Sequence, residues 1–437
     1  MAANDAREEI EDALTHIIPH KPFPQYIDDT VVLEVKELLT QHPDARVSAW
    51  KDKPRLYTLL RMLDYHHEGQ VFARFEKEFF GDFWLPLGPV ALDQLATTAG
   101  FSASHFRRAQ LHILSRPEQM SEEKLFSTVH IHRHIHYGNS HFEEKERIGV
   151  GGSAEVVRVK HKLSGREFAC KRILRKPSIQ AQRIQLIEFE QEVGVLQKIS
   201  HPHFVCFVAS FTDLVSFSLI LEPVASDVLT LMLERQTRDQ PLSDTDVSTL
   251  RQSLGCLSTA VAYLHQQKVR HKDIKPGNIL VSGRRVLLCD FGVSLDWSNS
   301  EHSTTEGIPH RYTYRYSAPE VKDHDRRNSK SDVWSLGCVF LEIITVIKGY
   351  TIDEFHRFLI ENNTGESDTR LWYSPEAMRA WIEEIKSENH DSADDLPLSW
   401  IIPMVRSRFP FISYTFLPLP QRGYYLVRNI VCNFHPG

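Results

Sequence analysis

The feature that most constrains the fold is a pair of motifs in the second half of the chain, HKDIKPGN at residues 271–278 and CDFGVS a little further on. The first motif places Asp273, Lys275 and Asn278 on one short loop. The second contributes Asp290, twelve residues beyond Asn278. Ordered co-occurrence of this kind is highly specific. The chain therefore has to fold so that two acidic groups, an amide and a cation serve one site.

A glycine-rich stretch, RIGVGGSAEVVRV, lies between two predicted strands upstream of those motifs. Without Cβ atoms, the backbone N–H groups of such a loop can approach phosphate groups closely. Glycine-rich turns are common, so the stretch alone is weak support for a nucleotide site. The residues that we predict to bind a nucleotide here are Gly149, Val150, Gly151, Gly152, Ser153, Ala154 and Val156.

Lys171, in FACKRI, lies on the next predicted strand. A lysine that faces a nucleotide can hold phosphate oxygens as a point charge, and a buried lysine needs an anionic partner. The predicted helix EFEQEVGVLQKI offers Glu188, Glu190 and Glu192, of which we choose Glu192. The alternative is an ordinary surface lysine beside a solvated acidic helix face.

These residues together meet the requirements of phosphoryl transfer, which depends on positioning and electrostatic stabilisation more than on covalent steps by the protein. Asn278 and Asp290 can hold Mg²⁺, and Asp273 can accept the proton of a substrate hydroxyl. Lys171 and Lys275 can balance the charge of the phosphates.

From about residue 142 to at least residue 345, the sequence resembles a eukaryotic protein kinase domain. The resemblance implies an α+β, bilobal fold that binds ATP between a small sheet-rich lobe and a larger helical lobe. It also implies that Asp332 braces the catalytic loop through its backbone. The matching elements are the glycine loop, Lys171, Glu192, HKDIKPGN, DFG at 290–292, APE at 318–320 and Asp332.

The same resemblance assigns further residues to the nucleotide site and to the core around it. Ala169 joins the nucleotide-binding residues, and the hinge is formed by Glu222 to Val224. Leu221 is expected at the back of the adenine pocket. A hydrophobic column that aligns active members of the family is expected to contain Leu196, His271 and Phe291, although plain core packing explains these residues equally well.

Two residues favour serine and threonine over tyrosine as phosphate acceptors. Lys275, after Asp273, resembles the serine/threonine pattern, and Thr313 stands where such kinases keep a threonine that contacts Asp273. We therefore expect a non-specific serine/threonine protein kinase that uses ATP and Mg²⁺ and acts on protein hydroxyls. The alternative is a catalytically weak or inactive kinase-like module that binds nucleotide or acts as a scaffold.

Lys272 departs from the family pattern, which has an arginine at this position that clamps a phosphate on the activation segment. Lysine keeps the charge but lacks the bidentate fork, so the change bears on regulation more than on chemistry. We hypothesise that phosphorylation of Thr304 or Thr305 in the following segment raises activity. The alternative is that these are solvated loop hydroxyls.

The end of the chain is the second departure. After about residue 405, aromatic and strand-like residues replace the final helix that the family has, and no partner segment for Glu320 is recognisable. One interpretation is an altered end that still packs. The other is a splice or reading-frame difference that removed the closing helix and left Glu320 unpaired, which would be costly if that residue is buried.

The chain divides into two predicted parts near residue 140. Residues 1–140 form a mainly helical region, and residues 142–437 form the kinase domain, with an N-lobe at 142–224 and a C-lobe at 225–437. The helical region could contact a partner or the kinase domain itself. Before the boundary, histidines alternate at positions 130, 132, 134 and 136. They predict either a metal site on one strand face or a partly exposed strand or loop that leads into the next domain.

Composition excludes several other classes of protein. The net charge of −6 gives no footprint for nucleic acid, although a local basic patch is still compatible with it. Six cysteines without a CxxC pair fit a reducing compartment. The longest apolar run, VWSLGCVFLEIITVI, is too short to span a membrane, so we expect an intracellular protein, cytoplasmic or nuclear.

Overall fold

The computed structural model describes most of the chain, and the chain divides into two compact units. The first unit comprises residues 1–193 and 207–222, and the second comprises residues 194–206 and 223–437. The described residues are 2–18, 26–65, 69–78, 81–115, 121, 132–151, 154–298, 314–318, 328–362, 374–387, 398, 401–402, 404, 416–418 and 425–427.

The first unit begins with a helical region, as the sequence predicts. Asp28 caps the second helix by accepting hydrogen bonds from the N–H groups of Thr30 and Val31, and Ser102 caps the seventh through the N–H of His105. The helices are α1 Ala2–Ile17, α2 Asp29–Gln41, α3 Ala45–Ser48, α4 Pro54–Met62, α5 Gly69–Lys77, α6 Pro89–Ala99 and α7 Ala103–Ala109.

A six-stranded sheet follows, with the strand order β1-β5-β6-β4-β3-β2. The short strand β1 pairs in parallel with β5, whereas β2, β3, β4 and β6 are joined by antiparallel pairs. Helix α8 spans Ile179–Lys198, between β4 and β5 in the sequence. The strands are β1 Arg133–His134, β2 Phe142–Val150, β3 Glu155–His161, β4 Glu167–Leu174, β5 Cys206–Thr212 and β6 Ser216–Glu222.

One face of this sheet carries the core of the unit. Alternate residues of β3 and β4, among them Val157, Phe168 and Cys170, belong to a single buried cluster with Phe142 and Ile220. Because successive side chains of a strand point to opposite faces, the residues between them lie on the other face. This alternation places Val156, Ala169 and Lys171 away from that core.

Over the residues that the structure describes, the second unit is mainly helical and contains three small sheets. Helix α11 is buried along most of its length, and α12 begins with a capping box between Thr351 and Glu354. The helices are α9 Leu229–Glu234, α10 Asp244–Gln266, α11 Lys330–Ile347, α12 Ile352–Glu361 and α13 Pro375–Ser387. The strands are β7 Asp227–Val228, β8 Val269–Arg270, β9 Ile279–Ser282, β10 Arg285–Leu288, β11 Leu295–Asp296, β12 Phe416–Pro418 and β13 Tyr425–Val427.

Strands β12 and β13 pair with each other in antiparallel fashion. The predicted strand-like character of the end of the chain is therefore confirmed for residues 416–418 and 425–427. Glu320 lies outside the described residues, as do the arginines near the end of the chain at positions 406, 408, 422 and 428.

The predicted α+β fold, with a sheet-rich part followed by a helical part and preceded by a helical region, is confirmed. Within the part of the chain that the structure describes, none of the helices has the length and apolar character needed to cross a bilayer. The predicted apolar run lies in α11, where Glu342 accepts a hydrogen bond of 2.9 Å from the hydroxyl of Tyr316.

Candidate active site

In the first unit, the pairing of the strands places several residues that were predicted to surround a nucleotide on the same face of the sheet. Lys171 on β4 lies directly opposite Val156 on β3 and Leu219 on β6. Ala169, two residues earlier on β4, lies opposite Leu221. Since directly opposed residues of antiparallel strands share a face, Val156, Ala169 and Lys171 lie on one face.

Lys171 forms an ion pair with Glu192, the glutamate chosen from the three candidates. Its Nζ atom lies 2.6 Å from Oε1 and 2.8 Å from Oε2 of Glu192. The side chains are 13% and 3% exposed, respectively. A charge buried to this degree requires a partner, so the ion pair is what permits both groups to stay charged away from water.

The glycine loop joins β2 to β3. Gly149 lies opposite Val156, and the N–H of Gly151 donates to the carbonyl of Ala154 at 2.7 Å. A Cβ atom added at Gly149 or Gly151 would meet only ordinary van der Waals contacts, at 3.6 Å and 3.5 Å. Packing inside the protein therefore does not require glycine at these positions, which fits a loop whose backbone must approach a ligand.

The other residues predicted to bind the nucleotide differ in exposure and in the unit to which they belong. Val150 is 70% exposed, and Gly152 and Ser153 lie outside the described residues. Glu222 ends β6, and the Oε1 atom of its carboxylate accepts a hydrogen bond of 2.7 Å from Arg166. Val224 is half-buried and belongs to the second unit.

The second unit brings together the three residues of HKDIKPGN that were predicted to act in chemistry. The Nζ atom of Lys275 lies 2.7 Å from Oδ2 of Asp273. The Nδ2 atom of Asn278 donates to the carbonyl of Asp273 at 2.8 Å and to Oδ2 of Asp273 at 3.0 Å. With both amide hydrogens directed to Asp273, the Oδ1 atom of Asn278 is the atom that could ligate a metal.

Asp332 holds the backbone of this loop, as expected. Its two carboxylate oxygens accept hydrogen bonds of 2.9 Å from the N–H groups of His271 and Lys272. His265 adds a contact of 3.0 Å between its Nε2 atom and Oδ2 of Asp332. Burial alone would raise the pKa of Asp332, but the hydrogen bond and charge of His265, together with the charge of His271 and the Lys272 N–H, hold that pKa below its ordinary value.

His265 was not predicted from the sequence. It lies in the last turn of α10, 67 residues before Asp332, and no local pattern links the two residues. Its only sequence signal is a basic residue near a helix C-terminus, which is common.

In the second unit, HKDIKPGN and CDFGVS contact each other through a backbone hydrogen bond and a pair of rings. The N–H of Cys289 donates to the carbonyl of Asn278 at 2.9 Å. The ring of Phe291, which is buried, lies 5.0 Å from that of His271 and 5.7 Å from that of Phe204. Leu196, the third predicted member of the hydrophobic column, is also buried. Phe204 was not predicted, since HPHF gives no sign that its phenylalanine faces Phe291.

Two residues of the motifs have left-handed backbone conformations. Lys272 has a φ of 70°, and Asp290 has a φ of 64°. Such values are uncommon for residues other than glycine and persist where the surroundings over-determine the backbone, which is typical of active sites. The hydrogen bond from the Lys272 N–H to Asp332 is one such constraint.

Two of the four alternating histidines, His132 and His134, form side-chain hydrogen bonds in the first unit. His132 places Nδ1 at 2.8 Å from the hydroxyl of Ser210 and Nε2 at 3.2 Å from that of Thr212. His134 places Nδ1 at 3.0 Å from the carbonyl of Leu85. His130 lies outside the described residues. In the ranges that the structure describes, His, Cys, Asp and Glu form no group of three suited to a metal ion.

Several predicted regulatory residues cannot be located in this site, because Thr304, Thr305 and Thr313 lie outside the described residues. Of the APE motif, Ala318 is described and is buried. The hypothesis about activation-segment phosphorylation therefore stays a prediction.

Comparison with known proteins gives two findings. Residues 142–389, more than half of the chain, match the protein kinase domain family. The chain is also similar to a calcium/calmodulin-dependent protein kinase type II of Caenorhabditis briggsae, with 28% identity over 236 residues, which is 53% of this chain and 42% of that protein. The chain thus spans less than half the length of that relative.

Proposed function

The chain belongs to the protein kinase family, and we propose that it is an ATP-dependent serine/threonine protein kinase that transfers the γ-phosphate of ATP to protein hydroxyls. The observation that carries this proposal is the ion pair between Lys171 and Glu192. Protein kinases require this pair to be formed before phosphoryl transfer can proceed.

ATP and Mg²⁺ fit the side chains that are present. Mg²⁺ prefers oxygen ligands and is bound by one or two protein groups together with substrate phosphates. The Oδ1 atom of Asn278 and the carboxylate of Asp290 are oxygen donors of that kind. When bound, the ion would neutralise charge on the phosphates.

Asp273 is the group proposed to take the proton of the substrate hydroxyl. The two donors on its Oδ2 atom, from Lys275 and Asn278, fix the orientation of its carboxylate. Lys275 also places a positive charge beside the position where the acceptor oxygen would react. This cation would offset negative charge as the phosphate passes to the hydroxyl.

The remaining contacts to ATP are proposed for the first unit and the hinge. Lys171 would hold phosphate oxygens as a point charge, and the glycine loop would approach the phosphates through its backbone. Val156 and Ala169 would pack on the adenine ring. The full proposed set is Gly149, Val150, Gly151, Gly152, Ser153, Ala154, Val156, Ala169, Lys171, Glu222 and Val224.

A second candidate function is a kinase-like module that binds nucleotide but transfers phosphate weakly or not at all. The observation that favours it is Lys272, which has a cation but no bidentate fork at the position where the family clamps a phosphate. Its backbone N–H bonds to Asp332 all the same. The loop geometry is therefore compatible with catalysis whether or not its side chain binds a phosphate.

The experiment that separates the two candidates combines binding and transfer. The full chain is incubated with γ-labelled ATP, Mg²⁺ and a generic protein substrate, and the labelled amino acid is identified after hydrolysis. The proposal predicts phosphoserine or phosphothreonine. A rise in unfolding temperature with Mg·ATP but no label in the substrate would favour the binding module, and phosphotyrosine would contradict the proposed acceptor class.

A further inference from the structure

The helical region before the kinase domain contacts helix α8, which carries Glu192. The ring of Phe189 on α8 lies 6.1 Å from the ring of Phe83 and 5.9 Å from that of His132. Both contacts have a T-shaped geometry, which is favourable for aromatic pairs. Phe83 and His132 also contact each other, with ring centroids 4.2 Å apart.

Phe189 is well placed to transmit this contact to the ion pair. It precedes Glu192 by three residues on α8, and residues at this spacing are neighbours on one helix face. Phe189 is fully buried, and its other ring contact is with Phe217 on β6, at 5.7 Å. The helix is therefore held between the sheet and the pair formed by Phe83 and His132.

That pair is itself fixed to the edge of the sheet. His132 bonds to hydroxyls of Ser210 and Thr212 on β5, and the following residues pair with β5 as strand β1. On the side of Phe83, the carbonyl of Trp84 accepts a hydrogen bond of 3.2 Å from Arg175, and the carbonyl of Leu85 accepts one from the hydroxyl of Thr212.

An ion-pair network joins the helices of the region to β1. Asp29 on α2 bonds to Arg55 on α4 and, at 2.6 Å, to Arg133 on β1. Both arginine side chains are less than a tenth exposed. The region is thus a part of the first unit that is braced against the sheet, with Phe83 and His132 directed at α8.

We propose that the N-terminal region acts as a built-in positioning element for the ATP site, with Phe83 and His132 as positioning residues that set α8 where Glu192 reaches Lys171. This inference rests on the proposed function and adds its regulation. Helix shifts of about 1–2 Å are a common switching movement in proteins. A shift of that size would separate atoms that now lie 2.6 Å apart, so the contact with Phe189 controls whether the ion pair forms.

The test compares Phe83→Ala and Phe83→Leu with the matched control Phe72→Ala in the full chain. Phe72 belongs to the same region and packs on Trp50, at 4.6 Å, and on Tyr57. Amide hydrogen exchange of α8 is the first readout, because it does not depend on activity. Phe83→Ala should raise exchange in the α8 segment around Phe189 and Glu192 by about 10-fold, the change that one aromatic contact would produce, and Phe83→Leu by less. Phe72→Ala should leave that segment unchanged.

The second readout is kcat/KM for ATP in a double-mutant cycle that combines Phe83→Ala with Glu192→Gln. Phe83→Ala should lower kcat/KM on the order of 10-fold in the wild-type background and cause little further loss beside Glu192→Gln, since both changes break the same ion pair. Equal exchange of α8 in wild type, Phe83→Ala and Phe72→Ala would overturn the inference. If the wild-type chain transfers no phosphate, the proposed function fails, but hydrogen exchange still decides whether Phe83 positions α8.

Discussion

The side-chain amide of Asn278 donates both to the backbone carbonyl and to the carboxylate of Asp273, at 2.8 Å and 3.0 Å. One residue thus fixes the proposed proton acceptor and keeps its own Oδ1 atom as the oxygen that could ligate a metal. The two proposed roles are coupled, so a change at Asn278 should disturb both.

Replacement of Asn278 by Asp tests this coupling. The change removes both N–H donors and places a second carboxylate beside Asp273, so the two carboxylates repel each other. We expect phosphate transfer to fall on the order of 100-fold, the lower end of what general acid–base catalysis contributes. Steady-state kinetics would measure this, with Asn362→Asp as the control, because Asn362 is an exposed amide at the end of α12. Equal activity of the two variants would contradict the role of Asn278.

Replacement of Lys171 by Met separates stability from catalysis. The change leaves Glu192 buried without its cation, and breaking a buried pair in this way lowers the free energy of unfolding by about 3 kcal/mol. The double variant Lys171→Met/Glu192→Leu should recover most of that stability but no activity. Denaturant unfolding and phosphate transfer measure the two effects. Recovery of activity in the double variant would show that the ion pair has no catalytic role.

His265 should stabilise the catalytic loop through Asp332. His265→Ala removes a buried partner of the Asp332 carboxylate, and loss of a hydrogen bond to a charged group lowers the free energy of unfolding by about 1.5–3 kcal/mol. Because the pKa of Asp332 is held low in the folded state, this stabilisation is present above the unfolded pKa of about 3.9 and is lost as pH falls through the folded value. Unfolding of wild type and His265→Ala at pH 7 and at lower pH would test this. His265→Gln, which keeps a donor, should lose less stability.

The buried histidines of the first unit should make its stability depend on pH. Burial lowers the pKa of His132 and of His134 well below the ordinary value, assisted for His132 by the charge of His134 and for both by Arg55. The folded unit therefore keeps these rings neutral. Stability is complete above the unfolded pKa of about 6.5 and falls by about 1.4 kcal/mol per histidine for each pH unit below it.

Unfolding followed between pH 8 and pH 5 measures this dependence. His134→Gln should reduce the slope of the unfolding free energy against pH by the contribution of about one histidine. Replacement of the exposed His105 should leave that slope unchanged. A wild-type profile that is flat between pH 6.5 and pH 5 would contradict the neutral, buried state of the pair.

The sequence predicted the elements that have a local pattern. EVVRVKH and EFACKRIL became β3 and β4 because alternating apolar residues fit a sheet with one buried face. The partner of Lys171 was also predicted, since the following helix offers three glutamates and Glu192 was chosen among them. The chemistry-bearing loop was recognisable because its residues lie within eight positions of the sequence.

Contacts between segments far apart in the sequence were not predictable. The pairing of β1 with β5 decides what His132 and His134 contact, and no local signal reveals that pairing. The alternating histidines therefore also predicted a metal site, whereas in the structure both ring nitrogens of His132 and the Nδ1 atom of His134 lie against hydroxyl and carbonyl groups. The contacts of His265 with Asp332 and of Phe204 with Phe291 were missed for the same reason.

The most direct test of the central claim is phosphate transfer by the full chain compared with Asp273→Asn. Asparagine keeps the size of the side chain but cannot accept the proton from a hydroxyl. With ATP, Mg²⁺ and a serine- or threonine-containing protein substrate, the account predicts transfer by the wild type and a loss on the order of 100-fold or more in the variant, with an unchanged unfolding temperature. Equal rates for the two proteins, or no transfer by a folded wild type that binds Mg·ATP, would contradict it.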